Sequence, residues 1–252
     1  MDRAVPPPLA RWARSWLATS RRVADRVRRD RLIERVAGCG QIIPDELVRD
    51  VYAAWGDPLT DERLTYIHHA LAEVGKARGP ILQCGSSLLT LLAGLLCEAD
   101  PNADKRLWVF EHDRHWGSVV RSWTAAHELR RTHVIVTPAE RFDGYVWYML
   151  DPGRVPSDFA LVLCDASSAL PSSARGVVTR MANQLGDRCV LLVRSARRPR
   201  DLKFLADWAK TENAAFVLKE GSDPYLKIAL PDRRPAAEHD SARLNTAFAD
   251  TA

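Results

Sequence analysis

The stretch from Gly79 to Glu111 constrains the fold of this chain more than any other. Its apolar run Ile81–Cys84 predicts a buried strand, the small residues after it predict a tight turn, and the Leu-rich segment that follows predicts a helix buried on a sheet. A second apolar strand then ends in Glu111. This order is typical of the first half of a nucleotide-type binding site in a parallel α/β sheet.

Apolar runs and amphipathic segments alternate from residue 107 to residue 230. Such alternation predicts a parallel sheet with helices on both faces, because each parallel connection needs a crossover. The last two runs are joined only by a short turn, so they are predicted to pair antiparallel. Residues 142–156 are predicted to be a connection without a strand. The predicted strands are 81–84, 107–110, 133–136, 159–164, 189–193, 215–219 and 225–230, and the predicted helices between them are 88–97, 116–129, 172–185 and 201–211.

The first 40 residues carry the basic character of the chain. They contain ten Arg, no Lys and four acidic residues, whereas the remainder has a net charge of −2. Apolar residues recur at near-helical spacing over 9–36, which predicts one or two basic amphipathic helices. Contact with a membrane surface, contact with nucleic acid, an organelle transit sequence and packing on the domain are open interpretations, and we favour packing.

Two more helices are predicted before the first strand, over 44–55 and 60–76, with Thr60 as the N-cap of the second. His68 and His69 lie in the second helix without ligands at metal spacing, so we assign them a structural role. The predicted organisation is disorder over 1–8, a helical segment over 9–76, an α/β domain over 79–231 and a disordered tail over 232–252.

The composition narrows the class of protein. No apolar run reaches the roughly 18 residues that a membrane span needs, and the first residues do not form a secretory signal. The five cysteines are scattered and form no CxxC pair, which indicates reduced thiols in a cytoplasmic protein and no metal site.

The order of five βα units closed by an antiparallel hairpin resembles the class I S-adenosylmethionine-dependent methyltransferases. Three segments strengthen the resemblance and point to a poorly characterised bacterial subgroup: Glu111-His112-Asp113-Arg114-His115-Trp116, then Trp147-Tyr148, then the strand that ends in Asp165. The resemblance covers residues 50–230. It implies a Rossmann-like fold, a doubly wound, seven-stranded and mostly parallel sheet with an antiparallel last strand.

The resemblance also implies S-adenosylmethionine as cofactor and assigns a set of site residues. Four positions depart from the family pattern: Gln83 replaces an acid, Ser87 replaces a glycine, residues 166–167 replace a Gly-Pro pair, and Arg194 begins a segment where an acidic pair is common. The implied cofactor-binding residues are Gln83, Gly85, Ser86, Ser87, Glu111, His112 and Asp165.

The implied activity is methyl transfer to a small-molecule or glycan-type acceptor, with Asp165 as the catalytic residue, either a general base or a group that orients the acceptor. Trp116 and Trp147 are open between stacking on a ligand and packing in the core. A basic cluster that contains Arg194 is open between binding an anionic substrate and facing solvent; its other members are Arg197 and Arg198.

Two alternatives from other classes remain. One is a degenerate methyltransferase fold that acts as a non-catalytic binding or scaffold protein. The other is an RNA methyltransferase that uses the basic N-terminal helices, although we expect no nucleic-acid partner. Peripheral membrane contact by residues 9–36 and a homodimer are also left open.

Overall fold

The computed structural model describes residues 24–102, 104–165, 173–194, 198–221 and 223–232. Predictions for residues 1–23 and 233–252, including most of the disordered ends, lie outside these ranges. Within them the strands form a seven-stranded sheet in the order β3-β2-β1-β6-β7-β9-β8 and a separate two-stranded sheet of β4 and β5. The strands are β1 (Ile81–Cys84), β2 (Leu107–Glu111), β3 (Thr132–Val136), β4 (Ala139–Phe142), β5 (Tyr145–Tyr148), β6 (Phe159–Cys164), β7 (Leu185–Arg194), β8 (Ala215–Lys219) and β9 (Tyr225–Ala229).

The predicted fold class is confirmed. In the large sheet, the neighbouring strands along β3-β2-β1-β6-β7 are all parallel, and β9 runs antiparallel between β7 and β8. Seven α-helices lie among the described residues, and none of them combines the length and apolar character that crossing a bilayer needs. The helices are α1 (24–37), α2 (Asp45–Ala54), α3 (Asp61–Lys76), α4 (Leu88–Ala99), α5 (Arg114–Ala126), α6 (Ser173–Arg180) and α7 (Pro199–Thr211).

The large sheet separates two apolar cores. One core joins the odd-numbered residues of β1 and β2, such as Ile81 and Val109, to helices α1 to α4. The other joins the alternate residues, such as Leu82 and Phe110, to α6, α7 and the β4–β5 hairpin. Because side chains alternate along a strand, the central strands are buried on both faces, which explains why they read as continuous apolar runs.

The N-terminal helices pack on the first of these cores. Leu32, Ile33 and Val36 of α1 are buried there, so the described part of the basic segment lies on the domain. Thr60 caps α3 as predicted, accepting a hydrogen bond from the N–H of Arg63. The ring of Tyr66 in α3 contacts Tyr225 of β9 edge to face, with centroids 5.7 Å apart.

The prediction that residues 142–156 form a connection was wrong, because this segment contains β5, which pairs with β4 immediately before it. Asp143 and Gly144 join these strands, and Gly144 has a φ of 79°, a conformation that favours glycine. The packing of Trp147 on α6 then holds the hairpin on the sheet. A Cβ at Gly176 would lie 2.2 Å from the indole of Trp147, so the two elements meet where α6 has no side chain.

The helix predicted over 172–185 was also too long. It ends at Arg180, and β7 begins at Leu185, which pairs with Phe159. Leu185 and Gly186 belong to the strand and not to the helix, because Gly186 lets the chain pass close to the main chain of Asp158. A Cβ at position 186 would lie 3.0 Å from the carbonyl carbon of Asp158.

A buried ion pair secures the turn between α4 and β2. Lys105 donates to Asp100 at 2.7 Å and to the carbonyl of Gly75 at 3.0 Å, and the two charged side chains are 0% and 1% exposed. The hydrogen bond from Lys105 lowers the pKa of Asp100, and the N–H of Asn102, which donates to the same carboxylate, lowers it further.

We predict that Lys105→Met lowers the free energy of unfolding by about 3 kcal/mol, because the carboxylate of Asp100 would remain buried without its cation. Since the folded-state pKa of Asp100 is lowered, the contribution is present at neutral pH and is lost as the pH falls through that pKa. Urea denaturation at neutral and acid pH measures both effects.

The matched control is Arg130→Met, which breaks the pair with Glu128, whose side chains are 83% and 81% exposed. We expect a change below about 1 kcal/mol there. Equal losses in the two variants would contradict a stabilising role for the buried pair.

Candidate functional site

The candidate site lies at the carboxyl ends of β1, β2, β6 and β7. The strand order reverses between β1 and β6, and open α/β sheets bind ligands in the crevice at such a switch point. Gln83, Glu111, Asp165 and Arg194 occupy alternate positions in register with the residues of the first core. The strand pattern therefore places these side chains on the face that also carries α3 and α4.

The turn after β1 binds the carboxylate of Glu111. Gly85 has a φ of 85°, which an L side chain adopts only with strain, and its N–H donates to the carbonyl of Phe110 at 2.9 Å. This turn brings Ser86 to β2, where its N–H donates to Oε2 of Glu111 at 3.0 Å and its hydroxyl donates to the same oxygen at 2.6 Å.

The other oxygen of Glu111 binds the main chain that follows β2. The N–H groups of His112 and Asp113 donate to Oε1 at 2.8 and 2.9 Å. Nδ1 of His112 lies 3.0 Å from this oxygen but forms no hydrogen bond to it. Glu111 is 3% exposed and accepts four hydrogen bonds, so it organises the turns after both strands.

Ser87 connects β1 to β6. Its hydroxyl accepts from the N–H of Leu89 at 3.2 Å, which caps α4, and donates to Oδ2 of Asp165 at 3.0 Å. Thr90 completes the cap by accepting from the N–H of Ser87 at 3.1 Å. The serine that departs from the family's glycine therefore has a defined use, as a helix cap and as a tether to Asp165.

Arg194 neutralises Asp165 instead of facing the solvent. Its guanidinium donates to Asp165 at 3.0 Å and to Asp223 at 2.9 Å. Burial alone would lower the pKa of Arg194, but the two carboxylates outweigh burial and raise it. The sequence left Arg194 open between binding an anionic substrate and facing solvent, and in the structure two acids balance its charge. Arg197 lies outside the described residues.

Two buried tyrosines from the N-terminal helices lie near this ion pair. Burial, and then the charge of Asp165, raise the pKa of both Tyr52 in α2 and Tyr66 in α3. The guanidinium of Arg194 lies 5.9 Å from the ring centroid of Tyr66. Neither tyrosine was among the predicted site residues, because only the packing of α2 and α3 on the sheet brings them to its carboxyl edge.

Three buried polar groups near this edge have no hydrogen-bond partner among the described residues: both amide atoms of Gln83, the hydroxyl of Tyr66 and the hydroxyl of Tyr148. Each of these residues is at most 2% exposed. Leaving such groups unsatisfied costs about 1–3 kcal/mol each, which favours a polar ligand or water at this edge.

The two tryptophans that were open between stacking and packing both pack. Nε1 of Trp116 donates to the carbonyl of Ser86 at 3.0 Å, and its ring meets Trp123 edge to face at 5.3 Å. Trp147 is 3% exposed and lies against Gly176. Within the described ranges, no three His, Cys, Asp or Glu side chains come together as metal ligands would.

The sequence matches no protein-family model and no curated protein. Among solved structures it is similar to a methyltransferase from Geobacter sulfurreducens, with 17% identity, 75% of this chain and 90% of that chain covered, and a TM-score of 0.48. It is also similar to an O-methyltransferase from Bacillus cereus in complex with SAH, with 15% identity, coverage of 79% and 99%, and a TM-score of 0.48. An rRNA methylase from Streptococcus thermophilus gives 10% identity, coverage of 66% and 97%, and a TM-score of 0.47.

Similarities of this size carry no inference about the ligand or reaction of this chain. The fold assignment rests on the sheet itself. A doubly wound seven-stranded sheet in which only β9, within the described strands, runs antiparallel is what the methyltransferase resemblance implies. The resemblance is therefore confirmed for the fold.

The residues present fit an adenosine-type ligand in kind and position. Glu111 stands at the tip of β2 beside the Gly85 turn, and unsatisfied polar groups lie near the switch point. Accommodating ribose hydroxyls on Glu111 requires that Ser86 release Oε2, because that oxygen already accepts two hydrogen bonds.

We predict that Glu111→Ala lowers the free energy of unfolding by about 3 kcal/mol even without any ligand, since the N–H groups of Ser86, His112 and Asp113 would lose their acceptor. A residue that serves only to bind a ligand would not have this effect. Chemical denaturation of the free protein measures it.

Glu46→Ala is the control, because Glu46 is exposed in the first turn of α2. We expect it to cost less than about 1 kcal/mol through the helix dipole. An unchanged stability of Glu111→Ala would contradict the organising role of this carboxylate.

Proposed function

We propose that this chain is an S-adenosylmethionine-dependent methyltransferase that acts on a small-molecule acceptor. The observation that carries the proposal is the position of Glu111, at the tip of β2, hydrogen-bonded to the turn that follows β1 at the switch point of a doubly wound sheet. A carboxylate in this place can accept hydrogen bonds from both hydroxyls of a ribose.

The residues that would hold the cofactor follow from their places at this edge. Glu111 would accept hydrogen bonds from the ribose hydroxyls in place of those it now accepts from Ser86, and His112 would line the adenosine side. The Gly85–Ser87 turn and the amide of Gln83 would face the methionine end, where the amide atoms would gain the partners they lack. S-adenosylmethionine supplies an activated methyl group on its sulfonium.

Asp165 is better suited to orient an acceptor than to remove its proton. Its two oxygens accept hydrogen bonds from Ser87 and Arg194, so both are already engaged within the protein. We therefore propose that the protein contributes mainly proximity and alignment, which suffice when the acceptor needs no strong base.

A non-catalytic binding protein on the same fold is the second candidate. The observation in its favour is that Glu111 and Asp165 are already satisfied by contacts within the protein. An RNA methyltransferase would use the basic N-terminal segment. Removing residues 1–23 tests that use and leaves the core residues of α1 intact, whereas removal of residues 1–36 would delete Leu32, Ile33 and Val36 from the core.

Calorimetric titration of the full chain with S-adenosylmethionine tests the proposal. We expect binding in the micromolar range, with loss of binding in Glu111→Gln, which removes the carboxylate proposed to accept the ribose hydroxyls. The absence of binding at millimolar S-adenosylmethionine would refute the methyltransferase proposal and favour the scaffold protein. Full cofactor binding with activity only on RNA, lost on removal of residues 1–23, would favour the RNA enzyme.

We predict that Ser86→Ala raises the affinity for S-adenosylmethionine about fivefold, because the variant no longer occupies Oε2 of Glu111 with a hydroxyl worth roughly 1 kcal/mol. Calorimetry measures the dissociation constant. Ser122→Ala serves as the matched control, since the hydroxyl of Ser122 bonds only locally, to the carbonyl of Val119 in α5. A lower affinity of Ser86→Ala would mean that Ser86 contacts the cofactor directly.

A further inference from the structure

A cavity of about 440 Å³ lies where the β4–β5 hairpin meets the segment after it. We name it the hairpin cavity. Its lining includes Phe142, Trp147 and Tyr148 of the hairpin, the chain from Met149 to Pro152, and Arg180 of α6. This volume is within the range of about 300–1,000 Å³ that small-molecule sites occupy. None of the residues assigned to the cofactor or to catalysis lines it, although Trp147, which the sequence left open between stacking and packing, does.

Tyr148 connects this cavity to the candidate site. Its ring meets Phe110 of β2 edge to face at 5.3 Å, and its buried hydroxyl lies beside the main chain of Gly85. The N–H of Gly85 donates to the carbonyl of Phe110 at 2.9 Å. Among the described residues the hydroxyl of Tyr148 forms no well-aligned hydrogen bond. A polar ligand group in the cavity would satisfy it.

The aromatic lining of the cavity is held in place by contacts with neighbouring side chains. Phe142 and Tyr145 stack at 5.5 Å with a 21° angle between their planes, and the guanidinium of Arg180 covers Phe142 at 4.2 Å. Arg180 also donates to the hydroxyl of Tyr145 at 3.2 Å. These contacts hold the aromatic wall in one orientation before any ligand arrives. They also place the guanidinium of Arg180 in a cation–π contact with Phe142.

The charges around the cavity oppose an anion. Glu140, which pairs with Trp147 across the hairpin, and Asp151 both line it, against the single cation Arg180 among the described lining residues. At the neighbouring site, Arg194 is neutralised by Asp165 and Asp223. Within the part of the chain that the structure describes, neither place offers an unbalanced positive charge to a carboxylate or phosphate.

We propose that the hairpin cavity binds an aromatic ring that carries a hydroxyl or amino group and no negative charge, and that the acceptor belongs to this class. The second statement rests on the proposed methyltransferase function. The first rests only on the cavity, its aromatic wall, the unsatisfied hydroxyl of Tyr148 and the acidic rim.

Three probes with the same phenol ring and different charge test the proposal: tyramine, 4-methylphenol and 4-hydroxyphenylacetate. Calorimetry on the full chain should detect binding of the first two and the weakest binding for the anion. Glu140→Gln should reduce the preference for tyramine over 4-methylphenol about threefold, as expected for a rim charge. Glu46→Gln, on the other face of the sheet, should leave it unchanged.

Tyr148→Phe tests the buried hydroxyl. We expect it to weaken 4-methylphenol binding about fivefold while the melting temperature is kept or raised, because the variant removes an unsatisfied polar group without leaving a cavity. An unchanged affinity for the phenols in a folded Tyr148→Phe protein would overturn the assignment of this residue.

Parallel titration with S-adenosylhomocysteine separates this inference from the proposed function. Binding of S-adenosylhomocysteine without any probe binding would overturn the aromatic site and leave the proposed function standing. Displacement of the probes by S-adenosylhomocysteine would also overturn it, since the cavity would then belong to the cofactor. Probe binding without S-adenosylhomocysteine binding would support the aromatic site and refute the methyltransferase.

Discussion

The hydrogen bond between Ser87 and Asp165 spans the point where the strand order reverses, and the arrangement of the site depends on it. On one side it is continuous with the cap of α4, and on the other with the ion pair of Arg194 and Asp223. Four separate chain segments therefore meet through polar contacts at an edge where parallel strands leave their terminal groups unpaired. The same contacts join the turns that leave the two halves of the sheet.

Because this network is buried, each of its charged groups needs hydrogen-bond or ion-pair partners. A carboxylate at 3% exposure, such as Glu111, is tolerated because four donors surround it, and the guanidinium of Arg194 is tolerated because two acids balance it. Gln83, Tyr66 and Tyr148 differ, because their buried polar atoms have no hydrogen-bond partner in the described structure. The satisfied groups therefore hold the turns of the site together, whereas the unsatisfied ones keep the capacity to bind a further polar group.

The strands β1, β2, β6 and β7 could be predicted because burial on both faces produces apolar runs with little else in them. The β4–β5 hairpin was missed although Asp143-Gly144 is a strong hairpin signal, because the exposed Glu140 and Arg141 interrupt the apolar pattern. Glu111 and Asp165 were correctly expected at strand tips. Their partners could not be predicted, since those contacts depend on how closely turns from different strands approach one another.

The contact between Gly176 and Trp147 restricts which substitutions this chain can accept during evolution. No side chain fits at position 176 while an indole occupies position 147, so Gly176 cannot change alone without forcing α6 away from the hairpin. Related chains that keep this tryptophan should therefore keep the glycine, and a side chain at position 176 should appear only where the tryptophan has been lost. Covariation of this pair would trace the hairpin cavity through sequences too divergent to align by their strands.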